Sequence, residues 1–184
     1  STELRAHGAA NIEADALAHE LSQPHQPIYN AYVERFGSEI VAADGTLDRA
    51  AIARRVFADP AVRAEVEAIA HPIIRRAAEE RLCAARDENK RAAVLDVPLL
   101  FEAGWDALAD ETWVVALPRE EQLARLLARD TSMDAGEARA RIAAQMPLAE
   151  KCARADVVID NSGTVEEIRE YIGKLWKERI LERT

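Results

Sequence analysis

The sequence predicts an α/β fold built on a parallel β-sheet, and three short apolar segments carry that prediction. They are residues 92–97, 112–117 and 155–160, each rich in β-branched side chains and none strictly alternating between apolar and polar positions. This pattern is typical of parallel strands that are covered on both faces. A helical pattern follows each segment, most clearly over residues 118–129 and 164–182. Strands that alternate with helices indicate the doubly wound class.

The chain ahead of these strands predicts mostly helix. The composition, 37 alanines against seven glycines, favours helix throughout, and residues 12–15 carry only a weak strand signal. Residues 27–91 predict an inserted helical lobe within a single domain that spans residues 1–184. Turn signals divide this lobe at Gly37, Gly45 and Asp59-Pro60, and His71-Pro72 is expected to interrupt or kink its longest helix.

A second helical region, residues 118–154, predicts a lid. Pro118 suits the first helical position, with Glu120 and Glu121 in the favoured first turn. Arg125 and Arg129 stand four residues apart and therefore share one helix face, and Arg139 and Arg141 follow after a polar break at residues 131–134. Two such helices either close over a polyphosphate, whose transfer needs positive charge, or present a solvated face on which Glu121 pairs with Arg125.

The charge balance excludes one class of partner. The 24 Lys and Arg residues against 33 Asp and Glu residues give a net charge of −9, whereas non-specific nucleic-acid binding needs a basic face. Arginine outnumbers lysine by 20 to four. That excess either serves phosphate binding, for which arginine is suited, or reflects the composition of an arginine- and alanine-rich genome.

Cysteine content and hydropathy predict a cytoplasmic protein. Cys83 and Cys152 lack the spacing of a structural zinc site and are expected to be reduced thiols. No apolar run approaches the roughly 18 residues of a membrane span. We therefore expect neither a membrane nor a nucleic acid as a partner, and we expect a monomer.

Several polar residues are candidates for chemistry, each with an ordinary alternative. Ligands of open α/β sheets bind beyond the carboxyl ends of the strands, where Asp15 either activates a hydroxyl or caps a helix. The pairs Arg54-Arg55 and Arg75-Arg76 either collect an anionic substrate or are simply solvated, and His71 marks the expected helix break. A phosphate-binding GxxxxGK[ST] loop is absent from the sequence, in which the only Gly-Lys pair precedes Leu175.

Longer motifs give the chain a specific resemblance to one known protein family. The residues that carry it are Ala14–Ala18, 33–37, 44–49, 55–57, 71–73, 95–102 with Trp105, 122–125 with Arg129-Asp130, 145–148 and 155–161. In this order and spacing, over about 150 residues, the chain resembles the dephospho-coenzyme A kinase family. The resemblance implies a P-loop kinase fold with a five-stranded parallel sheet, a helical lobe at residues 27–91 that binds coenzyme A, and the lid.

The resemblance also implies an activity and its residues. It implies transfer of the ATP γ-phosphate, with Mg²⁺, to the ribose 3′-hydroxyl of dephospho-coenzyme A, which yields coenzyme A and ADP. Asp15 matches the catalytic aspartate, Arg125 an arginine that stabilises the phosphates, and Arg129 a second lid arginine. The remaining matches are Asn161 beside the nucleotide base and six positions around the acceptor: Arg55, His71, Arg75, Pro98, Leu99 and Leu100.

Two departures from the family pattern leave alternatives open. Glu13 stands where the family often has Asp, and a loop like GxTGxxGxGKST, with its strand, is missing ahead of Ser1. Residues 1–4 resemble the helix that follows such a loop, so we expect the natural protein to carry it and expect no metal ligand in these 184 residues. The alternatives are a kinase of another nucleotide-like alcohol and a non-catalytic coenzyme-A-binding module.

Overall fold

The computed structural model describes residues 1–131 and 133–182, which divide into two compact units. Unit 1 comprises Ser1 and Gly8–Val97. Unit 2 comprises Thr2–His7 and the described residues from Pro98 onward. Each unit is described by itself below.

Unit 1 is built on a parallel pair of strands, β1 (Ala10–Glu13) and β2 (Ala93–Asp96). The register sets Glu13 beside Asp96 at the carboxyl ends of the two strands. The strand predicted at residues 92–97 is confirmed, and the weak signal at residues 12–15 corresponds to β1. Helix α2 (Ala14–Leu21) begins immediately after β1, so Asp15 belongs to the helix.

The predicted helical stretch contains three helices: α3 (Pro27–Phe36), α4 (Arg49–Ala58) and α5 (Pro60–Asp87). They enclose a cluster of buried side chains from Ile28, Tyr32 and Ile40. The Tyr32 hydroxyl donates a hydrogen bond to the Val66 carbonyl at 3.2 Å. Burial, with a smaller contribution from the charge of Glu67, raises the pKa of Tyr32 to about 12. The lobe thus holds a neutral phenol in its core.

The turns between these helices fall where the sequence predicts them. Gly37 ends α3 with a φ of 78°, a backbone conformation that glycine adopts without strain. The Asp59 carboxylate caps α5 by accepting the backbone N–H of Ala61 at 2.8 Å. Of the two outcomes expected at His71-Pro72, an interruption is wrong, because α5 runs through Pro72, and a kink stays a prediction. Ala68, whose carbonyl loses its helical partner to the proline ring, is exposed, so water can satisfy that carbonyl.

Unit 2 contains a second parallel pair, β3 (Trp113–Ala116) and β4 (Val157–Asp160), as predicted. The Asp156 carboxylate joins the starts of the two strands, because it accepts the Thr112 backbone N–H at 2.7 Å and the Thr112 hydroxyl at 3.0 Å. Val157 and Ile159 are buried against α9 (Val165–Trp176). A π-helical turn, Lys177–Leu181, extends α9 to nearly the predicted end.

Three further helices occupy the predicted lid region: α6 (Arg119–Arg129), α7 (Ala135–Ala143) and α8 (Leu148–Arg154). Helices α6 and α7 pack together, and Asp134 caps α7 in a reciprocal arrangement with Glu137. Pro118 is the N-cap of α6 and not its first helical residue, because its extended ψ of 143° keeps it outside the helix. The short helix α1 (Thr2–Ala6) packs against α9.

The described residues contain four strands in two parallel pairs, so the five strands that the resemblance implies are not all found among them. The physical reason is that only four segments of these residues have strand character, namely the three clear apolar runs and the weak one at β1. No described helix has the length and apolar character needed to cross a membrane. The assignment of residues 27–91 to coenzyme A binding and of residues 118–154 to a lid remains a prediction.

Candidate active site

Asp15 lies in the first turn of α2, directly beyond the carboxyl end of β1. Glu13 occupies the N-cap position of α2, without a side-chain capping hydrogen bond, so the interpretation of Asp15 as an N-cap is wrong. Asp15 is exposed, and within residues 1–131 and 133–182 its carboxylate has no hydrogen bond or ion pair. Both carboxylate oxygens are therefore available to an incoming ligand.

Two more carboxylates stand at the same strand ends. Glu13 and Asp96 are register partners, and both residues are exposed. The Asn11 side chain donates to Glu13 at 2.6 Å, and the Ser1 hydroxyl donates to Asp96. No group of three or more His, Cys, Asp or Glu side chains suited to hold a metal ion occurs in the described part of the chain.

The predicted acceptor residues of unit 1 lie on two helices that pack against each other. Arg55, on α4, forms an ion pair with Glu39. On α5, His71 and Arg75 are four residues apart and share one face, and Arg75 pairs with Glu79 at 3.1 Å. Hydrogen bonds or ion pairs among these three predicted residues are absent from the described contacts, so the structure places them on adjoining helices without joining them.

Arg125 and Asn161, both predicted to contact the nucleotide, are brought together in unit 2. The guanidinium of Arg125 donates to the Asn161 carbonyl at 3.0 Å and lies 3.8 Å from the Glu121 carboxylate. Asn161 directly follows β4, and its backbone N–H donates to the Ala116 carbonyl at 2.8 Å at the end of β3. Arg125 is therefore held over the carboxyl ends of this strand pair, where ligands of such sheets bind.

Arg129 lies one helical turn beyond Arg125 on the same face of α6 and is exposed. Its guanidinium forms no ion pair with any residue that the structure describes. The Glu121–Arg125 contact supports the solvated-face interpretation of α6, but it leaves Arg129 without a counter-ion. An exposed guanidinium of this kind is suited to an anionic ligand.

The predicted turn Pro98-Leu99-Leu100 opens unit 2, directly after β2 in the chain. Leu99 is 43% exposed, whereas Phe101 and Trp105 behind it are buried. Sequence reasoning missed a residue that holds this turn. Lys151, on α8, donates to the Pro98 carbonyl at 3.1 Å and lies 3.0 Å from the Glu102 carboxylate. Its position in the chain, about 50 residues after the turn, offers no local spacing that would reveal the contact.

Comparison with known protein families gives a match over most of the chain. The family model described as "Dephospho-CoA kinase" matches residues 1–167. A dephospho-CoA kinase of Symbiobacterium thermophilum is 48% identical over 177 residues, which cover 96% of this chain and 74% of the relative. A dephospho-CoA kinase of Geobacter metallireducens is 48% identical over 173 residues, which cover 94% of this chain and 86% of the relative.

Two solved structures are similar to the whole described architecture. The crystal structure of TT1252 from Thermus thermophilus superposes with a TM-score of 0.79 at 35% identity, covering 97% of this chain and 88% of the other. The dephospho-CoA kinase from Campylobacter jejuni superposes with a TM-score of 0.71 at 25% identity, covering 98% and 89%. These likenesses confirm the predicted P-loop kinase fold. The chain is therefore an enzyme of the dephospho-CoA kinase family, which catalyses the last step of coenzyme A biosynthesis.

Proposed function

We propose that the enzyme transfers the γ-phosphate of ATP, accompanied by Mg²⁺, to the ribose 3′-hydroxyl of dephospho-coenzyme A. The products are coenzyme A and ADP. Family membership supplies the acceptor and the reaction class, and a kinase of this family needs a nucleotide as its second substrate. The donor, the metal ion and the role of each residue are the parts that are proposed.

The observation that carries the proposal is the unpaired carboxylate of Asp15 beyond the carboxyl end of β1. A general base must reach the hydroxyl proton that it removes. A carboxylate with no partner in the protein has both oxygens available for that contact. We assign Asp15 to orient the 3′-hydroxyl and to accept its proton as the bond to phosphorus forms.

The arginines of α6 are proposed to stabilise the transferred phosphate electrostatically. Phosphoryl transfer depends mainly on positioning and on positive charge against the developing negative charge. Arg125 already lies beside Asn161, at the end of the strand pair of unit 2. We assign both arginines of this face, Arg125 and Arg129, to the nucleotide phosphates, and Asn161 to the nucleotide base.

In each unit, the residues that match the family pattern are assigned to the acceptor. In unit 1 these are Arg55, His71 and Arg75 on the packed helices α4 and α5. In unit 2 they are the turn residues Pro98, Leu99 and Leu100, of which Leu99 offers an exposed apolar side chain. Cationic side chains suit the diphosphate of dephospho-coenzyme A, and an apolar side chain suits its uncharged parts.

Magnesium is proposed only as a companion of the nucleotide phosphates. Mg²⁺ keeps several waters and binds through one or two carboxylates plus substrate phosphates. The sequence predicts no metal ligand among these 184 residues, and no described carboxylate is assigned to the ion. When bound, the ion neutralises phosphate charge.

An ADP-release assay on the protein expressed from its complete gene tests the proposal. With Mg²⁺ and ATP, we expect turnover with dephospho-coenzyme A and none with adenosine or shikimate. Mass spectrometry of the product should place the new phosphate on the ribose 3′-oxygen. Binding of dephospho-coenzyme A without turnover would indicate a binding module, and turnover of another alcohol would indicate a different kinase. Either result would refute the proposal.

We further propose that the enzyme is a cytoplasmic monomer whose partners are small molecules. Both cysteines, Cys83 and Cys152, are free thiols in the structure, as expected in a reducing compartment. Light scattering on the eluting protein would measure the mass in solution. A dimer mass would contradict the monomer.

A further inference from the structure

The ammonium group of Lys151 has an acceptor for each of its three protons. It lies 3.0 Å from the Glu102 carboxylate and donates to the Pro98 carbonyl and to the Gln145 side chain, each at 3.1 Å. Only 13% of the Lys151 side chain and 23% of the Glu102 side chain are exposed. An ammonium group can donate three hydrogen bonds, so this one is fully used inside the protein.

Glu102 contacts a second segment besides Lys151. Its carboxylate accepts the backbone N–H of Met146 at 2.8 Å, in the loop between α7 and α8. Desolvation raises the pKa of Glu102, but the hydrogen bonds from Met146 and Lys151 and the lysine charge outweigh it and hold the pKa below its ordinary value. The pair therefore connects the turn that begins at Pro98 with the end of the lid helices.

Arg154, one turn after Lys151 on α8, contacts the same segment of the chain. The Arg154 guanidinium lies 4.4 Å from the centre of the Phe101 ring and 3.0 Å from the Asp106 carboxylate. Lys151 and Arg154 are three residues apart and therefore lie on one face of α8. Together the two side chains contact four residues of the segment 98–106.

The turn keeps its internal shape without Lys151. The Ala103 N–H donates to the Leu99 carbonyl at 3.0 Å, and the Trp105 N–H donates to the Leu100 carbonyl at 2.9 Å. The burial of Phe101 and Trp105 adds apolar contacts behind the turn. Loss of the lysine would therefore change where the turn lies against α8 more than how the turn is folded.

We propose that Lys151 is a positioning residue that sets the acceptor turn, Pro98-Leu99-Leu100, against the end of the lid through Glu102. The proposal rests on the assignment of that turn to dephospho-coenzyme A under the proposed function. Lys151 does not touch the reacting atoms. Its effect is on the site that the acceptor occupies.

The test is a steady-state comparison of Lys151→Met with the wild type, using protein from the complete gene. A misplaced supporting contact costs about 10- to 100-fold, so we expect kcat/KM for dephospho-coenzyme A to fall by that factor while KM for ATP stays within about twofold. Lys174→Met is the matched control. The Lys174 side chain is 70% exposed, and its ion pair with Glu178 is long at 3.9 Å. The control should match the wild type.

A double variant separates positioning from stability. Removing one partner of a partly buried ion pair destabilises a protein, whereas replacing both by apolar residues is often neutral or stabilising. We expect Lys151→Met/Glu102→Leu to recover the melting temperature that Lys151→Met loses, while kcat/KM for the acceptor stays low. Recovery of both quantities would overturn the positioning role, and so would a Lys151→Met enzyme with wild-type kinetics.

The failure of the two proposals can be told apart. A wild-type protein that does not phosphorylate dephospho-coenzyme A refutes the proposed function. An active wild type with an indistinguishable Lys151→Met variant refutes only the role of Lys151.

Discussion

At the scale of single residues, the surroundings of Asp15 separate it from the other carboxylates of helix first turns. Glu137 and Glu167, each the third residue of its helix, are bound to the residues that cap α7 and α9. Asp15 has no such partner in the described part of the chain. Its carboxylate adds a favourable interaction with the N-terminus of α2, worth a few tenths of a kcal/mol at an exposed site. We expect the main role of this carboxylate to be in catalysis, not in helix stability.

Asp15→Asn should therefore lower kcat and leave the fold intact. An amide keeps the size of the side chain but cannot accept the hydroxyl proton, so we expect kcat to fall by roughly 10²–10⁴. The ADP-release rate measures kcat, and the melting temperature checks the fold. Glu166→Gln, in the first turn of α9, is the control and should keep the wild-type rate. A near-normal rate for Asp15→Asn would remove the aspartate from the mechanism.

We expect Arg125 and Arg129 to contribute unequally to catalysis, because among the described contacts only Arg125 is already joined to another part of the protein. The contact of Arg125 with the Asn161 carbonyl fixes its guanidinium before any ligand arrives. A donor that is fixed in advance contributes more to the transition state than one that must be ordered during the reaction. Arg129 has to be ordered by the ligand.

Arg125→Met should accordingly impair catalysis more than Arg129→Met. Loss of one preorganised donor costs about 10²–10³ in kcat, and we expect Arg125→Met to lie in that range and Arg129→Met to lie at least about tenfold closer to the wild type. Steady-state kinetics with ATP varied gives both numbers. Equal losses would contradict the preorganisation of Arg125.

At the scale of elements, the β3–β4 pair depends on one carboxylate at its start. Asp156 receives two hydrogen bonds from Thr112, and the backbone N–H of Thr112 is the largest cause of its lowered pKa. Because the pKa in the folded state lies below the ordinary value of 3.8, this carboxylate stabilises the fold above that pH. The stabilisation is lost as the pH falls through the folded-state pKa.

Asp156→Asn should therefore weaken the dependence of the free energy of unfolding on pH in the acid range. We expect the urea midpoint of the wild type to fall more steeply than that of the variant as the pH drops below 3.8, and the variant to be less stable at neutral pH. Asp110→Asn is a suitable control, because Asp110 is exposed and has no hydrogen bond or ion pair among the described contacts. Parallel curves for the wild type and Asp156→Asn would contradict the prediction.

At the scale of the whole molecule, substrate binding should raise the stability of the protein. A ligand that binds only the folded state stabilises it by about 2.7 kcal/mol at a concentration of 100 times its Kd. For a protein of this size that corresponds to about 5–11 °C in melting temperature. Dephospho-coenzyme A at saturation should give such a shift in a thermal unfolding experiment, whereas adenosine at equal concentration should not. Equal shifts for the two ligands would contradict recognition beyond the adenosine part.

Much of the fold was predictable because its strands and helices have strong local signals. The β-branched runs at β2, β3 and β4 and the periodicity of α6 and α9 are properties of a few consecutive residues. Two local predictions were wrong. Pro118 lies outside α6 because its backbone is extended, and α5 continues through Pro72, where Ala68, the residue whose carbonyl loses its helical partner, is exposed.

The candidate site was predictable only where its residues belong to contiguous motifs. Asp15, Arg125 and the Pro98 turn stand in such motifs, although their roles stay predictions. Lys151 was missed because its importance depends on tertiary contacts with residues as far away as Pro98. No periodicity or spacing encodes such contacts, and in the sequence a lysine of α8 looks like any other polar residue of a short helix.

The proline inside α5 has a consequence for motion. A helix that lacks one internal hydrogen bond opens locally at a lower free energy than its flanks do, and amide hydrogen exchange reports that opening. The 28-residue helix should therefore behave as two segments that exchange at different rates on either side of residues 68–72. His71 lies within this junction, and Arg75 lies one helical turn after it. The face of α5 that we propose to bind the acceptor thus lies beside the point where the helix is most easily deformed, and the histidine and the arginine are expected to adjust to a ligand without unfolding of the lobe.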